Sequence, residues 1–298
     1  MKFEEELQSK TAYCNEVLDR FLPAEEGPSR RVREAMNYSV RAGGKRLRPM
    51  LLWETCSMYG GRRELAEPFM AAIEMIHSYS LVHDDLPEMD NDEYRRGRKT
   101  THAVYGQGMA VLAGDGLLNL AYETALGSFA EGQNVEETAR IARALCVLAA
   151  GAGIDGMVGG QCCDLVSEGR QIDAQTLLYI HRKKTACMIA SGFQIGAILA
   201  GAPETDIRSL GEIAEMVGIA FQIRDDILDV EGSAEALGKS IGKDAAGQKA
   251  TYVSIHGLGK AREDAALMTE EALRRLDALS VPNPFLRELV LSLAGRTH

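Results

Sequence analysis

Adjacent aspartates occur twice in this chain, each time where an apolar stretch ends. Asp84 and Asp85 lie in LVHDDLPEMDNDEYRRGRKTTH, residues 81–102, and Asp225 and Asp226 in FQIRDDILDV, residues 221–230. Like charges one helical turn apart repel by a few tenths of a kcal/mol in water (~0.2–0.5), and by more when partly buried. A cation that offsets this is therefore expected. Asp225 and Asp229 stand four residues apart, so an uninterrupted helix projects both carboxylates from one face. In the first motif Pro87 has no N–H and disfavours helical geometry at Leu86. The helix should loosen there and let Asp90 curl back toward Asp84. Carboxylate oxygens specify a hard ion, and Mg²⁺ usually completes its octahedron with waters and substrate phosphates. Magnesium bridging to a polyphosphate is the chemistry this pattern suggests. A lone acidic pair would read as a solvated face; its recurrence at the ends of two apolar stripes argues otherwise.

Basic residues complement the acids. RAGGKRLRPM places Lys45, Arg46 and Arg48 just after Gly43 and Gly44, and Arg95 and Arg96 follow the first acidic motif. Arginine forks match phosphate oxygens bidentately, so these are candidate phosphate clamps. GGKR is not a P-loop, since it lacks the glycine spacing, the Ser or Thr after lysine, and a preceding strand. His77 lies seven residues before Asp84, two helical turns and nearly the same face. Lys184 and Thr185 in HRKKTACMI enter an apolar helix, where a lysine facing a diphosphate need not snorkel to water. Gln161 and Asp164 in GGQCCDL carry no meaning on their own. No Ser/His/Asp constellation and no dinucleotide-binding glycine fingerprint is present.

The elements that must position these groups read as helices. Of 298 residues, 46% are hydrophobic and only 8 are proline, and Ala, Leu, Met and Glu recur where valine and isoleucine would dominate a sheet protein. Phe69, Ala72, Ile73, Ile76, Tyr79 and Leu81–Val82 form one helical stripe; Ile207, Leu210, Ile213, Ala214 and Val217 form another. Turn-forming clusters such as YGGRR, RRGRKT, GAPET and VPNP separate the periodic runs. The expectation is an all-α fold: about ten helices, no convincing strand, and a single domain over residues 1–298. EGSAEALGKSIGKDAAGQK, residues 231–249, reads as a long Gly-punctuated loop whose lysines suit a lid over an anion. The net charge of −10 excludes a phosphate-tracking nucleic-acid binder. Six cysteines without a CxxC pair read as reduced thiols, mostly core fillers. The first residues lack the apolar core of a signal peptide, and the expectation is that no run approaches the ~20 apolar residues of a membrane span. A cytoplasmic protein follows.

GGKRLRP, SLVHDDLPEMDNDEYRRGRKTTH, GGQCCDL, HRKKTA, FQIRDDILDV and LGKSIGKD occur in the order and approximate spacing found in the trans-isoprenyl diphosphate synthases. The chain resembles that family from about residue 29 to 297, closest to its farnesyl-producing bacterial members. One DDxxD would be weak; six ordered motifs are specific. The resemblance implies the isoprenoid synthase fold, a helical bundle around a deep central cavity, usually a homodimer. It implies Asp84, Asp90 and Asp225 as principal Mg²⁺ ligands, supported by Asp85, Asp226 and Asp229, with three ions per site. It assigns Arg95, Lys184, Thr185, Gln222 and Lys239 to an allylic diphosphate, with Lys249 helping to close the site. Gly44, Lys45, Arg48, His77 and Arg96 would hold isopentenyl diphosphate.

The implied reaction is head-to-tail condensation of isopentenyl diphosphate with dimethylallyl and then geranyl diphosphate: ionisation to an allylic cation, attack by the alkene, and loss of a proton. Tyr79, five residues before Asp84 and so about 7.5 Å deeper along an ideal helix, together with Ser80, occupies the place that limits product length in the family. Its bulk resembles the C15-producing pattern. Glu88, Lys99 and Arg224 depart from the usual family residues, as do Cys162 and Cys163, and Arg296 is at most a lid contact. The rival readings are a geranylgeranyl diphosphate synthase, a terpene cyclase, which needs no isopentenyl site, and a non-catalytic regulatory subunit.

Overall fold

The computed structural model describes residues 2–231 and 250–294. Lys239, Lys249, Arg296 and nearly all of the Gly-punctuated loop lie outside the described residues. By internal contacts the chain forms two compact units, Met1–Trp53 with Arg62–Ile141, and Glu54–Gly61 with Ala142–His298.

The first unit is built on α4 (Arg63–Asp84), which is buried on every face over its middle turns. Phe69, Met70, Ala72, Ile73, Met75 and Ile76 are completely buried, the stripe residues Tyr79 and Val82 are buried with slight exposure, and Leu81 is half-buried. Around it lie α1 (Phe3–Phe21), α2 (Arg30–Val40), the start of α3 (Leu47–Met58), α5 (Thr101–Tyr105) and α6 (Gln107–Gly127). Helix α6 packs against α4 through Ala110, Ala113, Gly114, Leu117, Ala121 and Ala125. This stripe of mostly small side chains at i, i+3, i+4 spacing lets the two backbones approach closely.

One element departs from the all-helical expectation. Tyr94–Arg95 and Arg98–Lys99 pair as a two-residue antiparallel hairpin. Its turn residues Arg96 and Gly97 both have positive φ, 53° and 73°, the backbone that matches strand twist in a two-residue turn. Such a short ladder leaves too little alternation to be read from sequence. After the 3₁₀ turn Ser128–Ala130, α7 (Val135–Ala152) begins with a reciprocal cap. Asn134 Oδ1 accepts the Glu137 N–H at 2.9 Å, and the Glu137 carboxylate accepts the Gln133 N–H at 2.8 Å and Arg62 at 2.9 Å.

The second unit contains the end of α7, α8 (Met157–Ser167), α9 (Ala174–Ile180), a π-helical turn (His181–Ala186), α10 (Cys187–Ala200), α11 (Glu204–Glu231), α12 (Tyr252–His256), α13 (Leu258–Leu276) and α14 (Pro284–Ala294). The predicted stripe Ile207, Leu210, Ile213, Ala214 and Val217 is buried on α11. Farther along, Ile219, Ile223 and Ile227 pack with Ala186 and Ala261. Gly218 permits this approach, because a Cβ there would stand 2.5 Å from Ala186 Cβ.

Two expectations need correction. All six cysteines are free, but only Cys14 and Cys56 are buried, whereas Cys146 and Cys162 are exposed. Residues 135–167 are also more apolar than expected, with a mean hydropathy of 1.6 over the best window. The chain turns between α7 and α8, so neither helix by itself, at 18 and 11 residues, reaches the ~20 residues of a span.

Candidate active site

In the first unit α4 ends at Asp84 and is capped by Asp85, as Pro87 requires. The following turn folds back by backbone hydrogen bonds: Asp90 N–H to the Asp84 carbonyl at 2.9 Å, Asn91 N–H to Leu86 at 3.0 Å, and Asp92 N–H to Asp85 at 3.2 Å. Asp90 is thereby returned to Asp84 across six residues. Asp85 behaves differently from its neighbours. It is 4% exposed, and Arg95 Nε donates to its Oδ1 at 2.7 Å. Burial pushes its pKa up to about 6 despite the opposing pull of Arg95. Arg95, read from sequence as a diphosphate clamp, is here engaged by Asp85, with Asp92 4.0 Å away.

The basic cluster gathers around His77. Burial, then the charges of Arg48, Arg96, Arg95 and Arg46, hold the imidazole pKa well below its ordinary value, so the ring is neutral near pH 7. Arg96 feels the same crowding. Desolvation of its guanidinium, reinforced by Arg46, Arg95 and Arg48 and opposed by Glu74, lowers its pKa. Several arginines forced together create a field that calls for a polyanion. Gly44 makes room for one of them. Its φ is +132°, and a Cβ would lie 2.6 Å from Arg96 Nη1, while Arg96 donates to the Gly43 carbonyl. Lys45 is exposed and Arg48 half-buried. Arg46 is not a clamp: 4% exposed, it donates to Glu74 and Asn15 at 2.8 Å and to the Val40 carbonyl at 2.6 Å. Its guanidinium joins α1, α2 and α4.

Tyr79 is 6% exposed, its hydroxyl pKa pushed up to about 12 by burial, with Tyr122 and Asp84 adding to the shift. Ser80 donates back to the His77 carbonyl at 2.9 Å, so its hydroxyl is turned onto its own helix.

In the second unit α11 is continuous through Asp225, Asp226 and Asp229, as the spacing predicts. Asp226 is buried, accepts the Tyr252 N–H at 2.7 Å, and lies 3.8 Å from His181 Nε2. It fastens α12 to α11, a structural task the sequence does not reveal. His181 is itself buried, and desolvation lowers its pKa to about 4. The π turn presents Lys184 and Thr185. Lys184 Nζ donates to Asp164 at 2.6 Å, and Thr185 Oγ1 donates to Gln222 Oε1 at 3.0 Å. Gly160 lets α8 lie against this turn, since a Cβ there would overlap the Lys184 backbone nitrogen. The GG of GGQCCDL and Asp164 thus aim Lys184; that signal lies in the motif, though not in any single residue. Gln161 Oε1 and His181 Nδ1 are buried without hydrogen-bond partners among the described residues.

A cleft of about 1020 Å³ lies behind the π turn, lined by Gly151, Arg182, Cys187, Ser191 and Glu215 among others. Among the described residues, none of the predicted site residues lines it. Among the described residues no three of His, Cys, Asp and Glu converge as a metal shell. A hard ion can be held by few carboxylates, with waters and phosphate oxygens completing its shell. The Asp84–Asp90 turn supplies that kind of donor.

The sequence matches the polyprenyl synthetase family over residues 29–280. It is 42% identical over 298 residues to a farnesyl diphosphate synthase of Geobacillus stearothermophilus, covering 100% of this chain and 99% of that one. It is 43% identical over 271 residues to the large subunit 1 of a heterodimeric chloroplastic geranylgeranyl pyrophosphate synthase of Arabidopsis thaliana, covering 90% and 72%. A crystal structure of a Helicobacter pylori geranyltransferase, complexed with magnesium and isoprenyl diphosphate, superposes with a TM-score of 0.79 at 30% identity, covering 95% and 96%. The chain has the all-α isoprenoid synthase fold, belongs to the polyprenyl synthetase family, and is a prenyltransferase.

Proposed function

We propose that residues 1–298 act as a single polyprenyl synthase domain that condenses isopentenyl diphosphate head-to-tail with dimethylallyl and then geranyl diphosphate, in the presence of Mg²⁺, to give (2E,6E)-farnesyl diphosphate. One observation carries the reading: Arg48, Arg95 and Arg96 crowd a neutral His77 in the same unit as the turn that returns Asp90 to Asp84. A cationic cradle near a carboxylate turn suits a substrate that brings both phosphate and metal.

In this reading Asp84, Asp90 and Asp225 are the main Mg²⁺ ligands, with Asp85 and Asp229 in support. Gly44, Lys45, Arg48, His77 and Arg96 hold isopentenyl diphosphate; Arg95, Lys184, Thr185, Gln222, Lys239 and Lys249 hold the allylic diphosphate. Bound Mg²⁺, three ions per site, supplies neutralisation of the charge that grows on the departing diphosphate. Lys184, aimed by Asp164, donates to the same oxygens as the carbon–oxygen bond ionises. Arg95 joins it when diphosphate competes successfully with Asp85. Neutral His77 donates to isopentenyl diphosphate without adding charge, and the alkene attacks the allylic carbon. The proton then passes to an oxygen of the released diphosphate. Buried Tyr79, about 7.5 Å below Asp84 on ideal helical rise, is the floor that stops growth at C15. A geranylgeranyl product is the second reading, favoured by the similarity to the Arabidopsis synthase subunit and opposed by the bulk of Tyr79.

The reading is of a cytoplasmic homodimer. Val111, Leu112 and Leu126 on α6 are 41%, 54% and 52% exposed, apolar surface that a second copy would cover. Incorporation of labelled isopentenyl diphosphate tests the chemistry. It should require an allylic diphosphate and Mg²⁺, and should fall by roughly 10²–10³-fold in Asp84→Asn and Asp225→Asn. No incorporation by the unaltered protein with either primer would refute the proposal.

A further inference from the structure

Tyr79 and His83 stand one turn apart on α4 with their rings edge to face, centroids 5.8 Å apart and planes at 75°. His83 also contacts α6. Its Nε2 lies 3.2 Å from the Val111 carbonyl, and because a carbonyl only accepts, this nitrogen carries the proton and donates. The Asp115 carboxylate lies 4.0 Å from the same nitrogen. Gly114 lies against the ring, and a Cβ there would overlap the imidazole. The ring therefore fills a slot that exists only because residue 114 has no side chain.

A helical tyrosine chooses between two staggered χ1 wells, and in a close-packed interior the choice is decided by what its ring abuts. Here the abutting group is the His83 edge. Shortening His83 would open space beside the Tyr79 ring and free it to leave its present well. We propose that His83, seated by Gly114 and the Val111 carbonyl, is a positioning residue that fixes the Tyr79 ring and so sets product length. The inference rests on the reading of Tyr79 as the floor of the product pocket. It makes α6, through one glycine, a determinant of product length.

The test is the ratio of C20 to C15 alcohols after dephosphorylation of products made from labelled isopentenyl and dimethylallyl diphosphates. The unaltered protein is compared with His83→Ala, Gly114→Ala, Tyr79→Ala and the His83→Ala/Tyr79→Ala double variant. Unfolded molecules make no product, so the ratio is insensitive to a partial loss of folded enzyme. If Gly114→Ala fails to fold, His83→Ala still decides. Each single variant should raise the ratio roughly five-fold or more, and the double variant should match Tyr79→Ala, because His83 acts through Tyr79. If Tyr79→Ala shifts the products while His83→Ala leaves the ratio unchanged, the floor stands and the positioning role is refuted. A double variant whose shift is the product of the single shifts also refutes it. If Tyr79→Ala changes nothing, the floor fails and the inference fails with it.

Discussion

Gly44→Ala isolates the basic cluster without removing any charge. At φ +132° an L-residue is strained, which costs about 1–3 kcal/mol of stability. The added Cβ would stand 2.6 Å from Nη1, 2.8 Å from Cζ and 2.9 Å from Nη2 of Arg96. Carbon and nitrogen rest near ~3.5 Å apart, so the guanidinium must retreat by about 0.9 Å. A charge-assisted hydrogen bond near 2.8 Å does not survive that retreat. Its loss, about 1.5–3 kcal/mol, corresponds to roughly 10–150-fold weaker binding of whatever anion Arg96 holds. Steady-state kinetics with each diphosphate varied at saturation of the other gives the readout. The KM for isopentenyl diphosphate should rise at least about 10-fold while that for the allylic diphosphate changes little. A fall in Tm with both KM values unchanged would show that Arg96 serves folding alone; a rise confined to the allylic diphosphate would exchange the two assignments.

Further outcomes follow from other contacts. Asp164→Asn weakens the 2.6 Å bond to Lys184 and should raise the KM for the allylic diphosphate about 10-fold, with the KM for isopentenyl diphosphate nearly unchanged. Asp226→Ala removes the acceptor of the Tyr252 N–H and should speed amide hydrogen exchange across Tyr252–His256 by about 10-fold or more, whereas Asp226→Asn, which keeps an oxygen there, should not. Asp206 accepts from Tyr59 at 2.7 Å and from Ser280. Burial alone would raise its pKa, but these bonds prevail and lower it. The folded form then binds fewer protons than the unfolded one, so this stability is present above pH ~4 and is lost as pH falls through the folded-state pKa. Tyr59→Phe should therefore lose about 1–2 kcal/mol near neutrality, and the gap to the unaltered protein should narrow below pH ~4 in denaturant titrations.

The helical stripes, the end of α4 at Asp84 and the return of Asp90 were legible because each follows from a local rule: 3.6-residue periodicity, or a missing N–H at Pro87. The shared face of Asp225 and Asp229 was legible for the same reason. What a charged side chain faces depends on partners distant in sequence, and those partners are not written in any local pattern. Arg46 looks like its neighbours Lys45 and Arg48, yet Glu74, 28 residues away, and Asn15 claim it for the core. Arg95 meets Asp85, and Asp226 meets a backbone N–H 26 residues downstream. Asp164 gained meaning only through Lys184, 20 residues on. The hairpin at Tyr94–Lys99 is too short to carry periodicity, although Arg96-Gly97 marks its turn.

The most direct test of the account is the size of the product. Purified protein with Mg²⁺, labelled isopentenyl diphosphate and dimethylallyl diphosphate should yield a dominant C15 alcohol after dephosphorylation and chromatography. A dominant product of C20 or longer would contradict the assignment of Tyr79 as the floor, and no elongated product from either dimethylallyl or geranyl diphosphate would contradict the proposed chemistry itself.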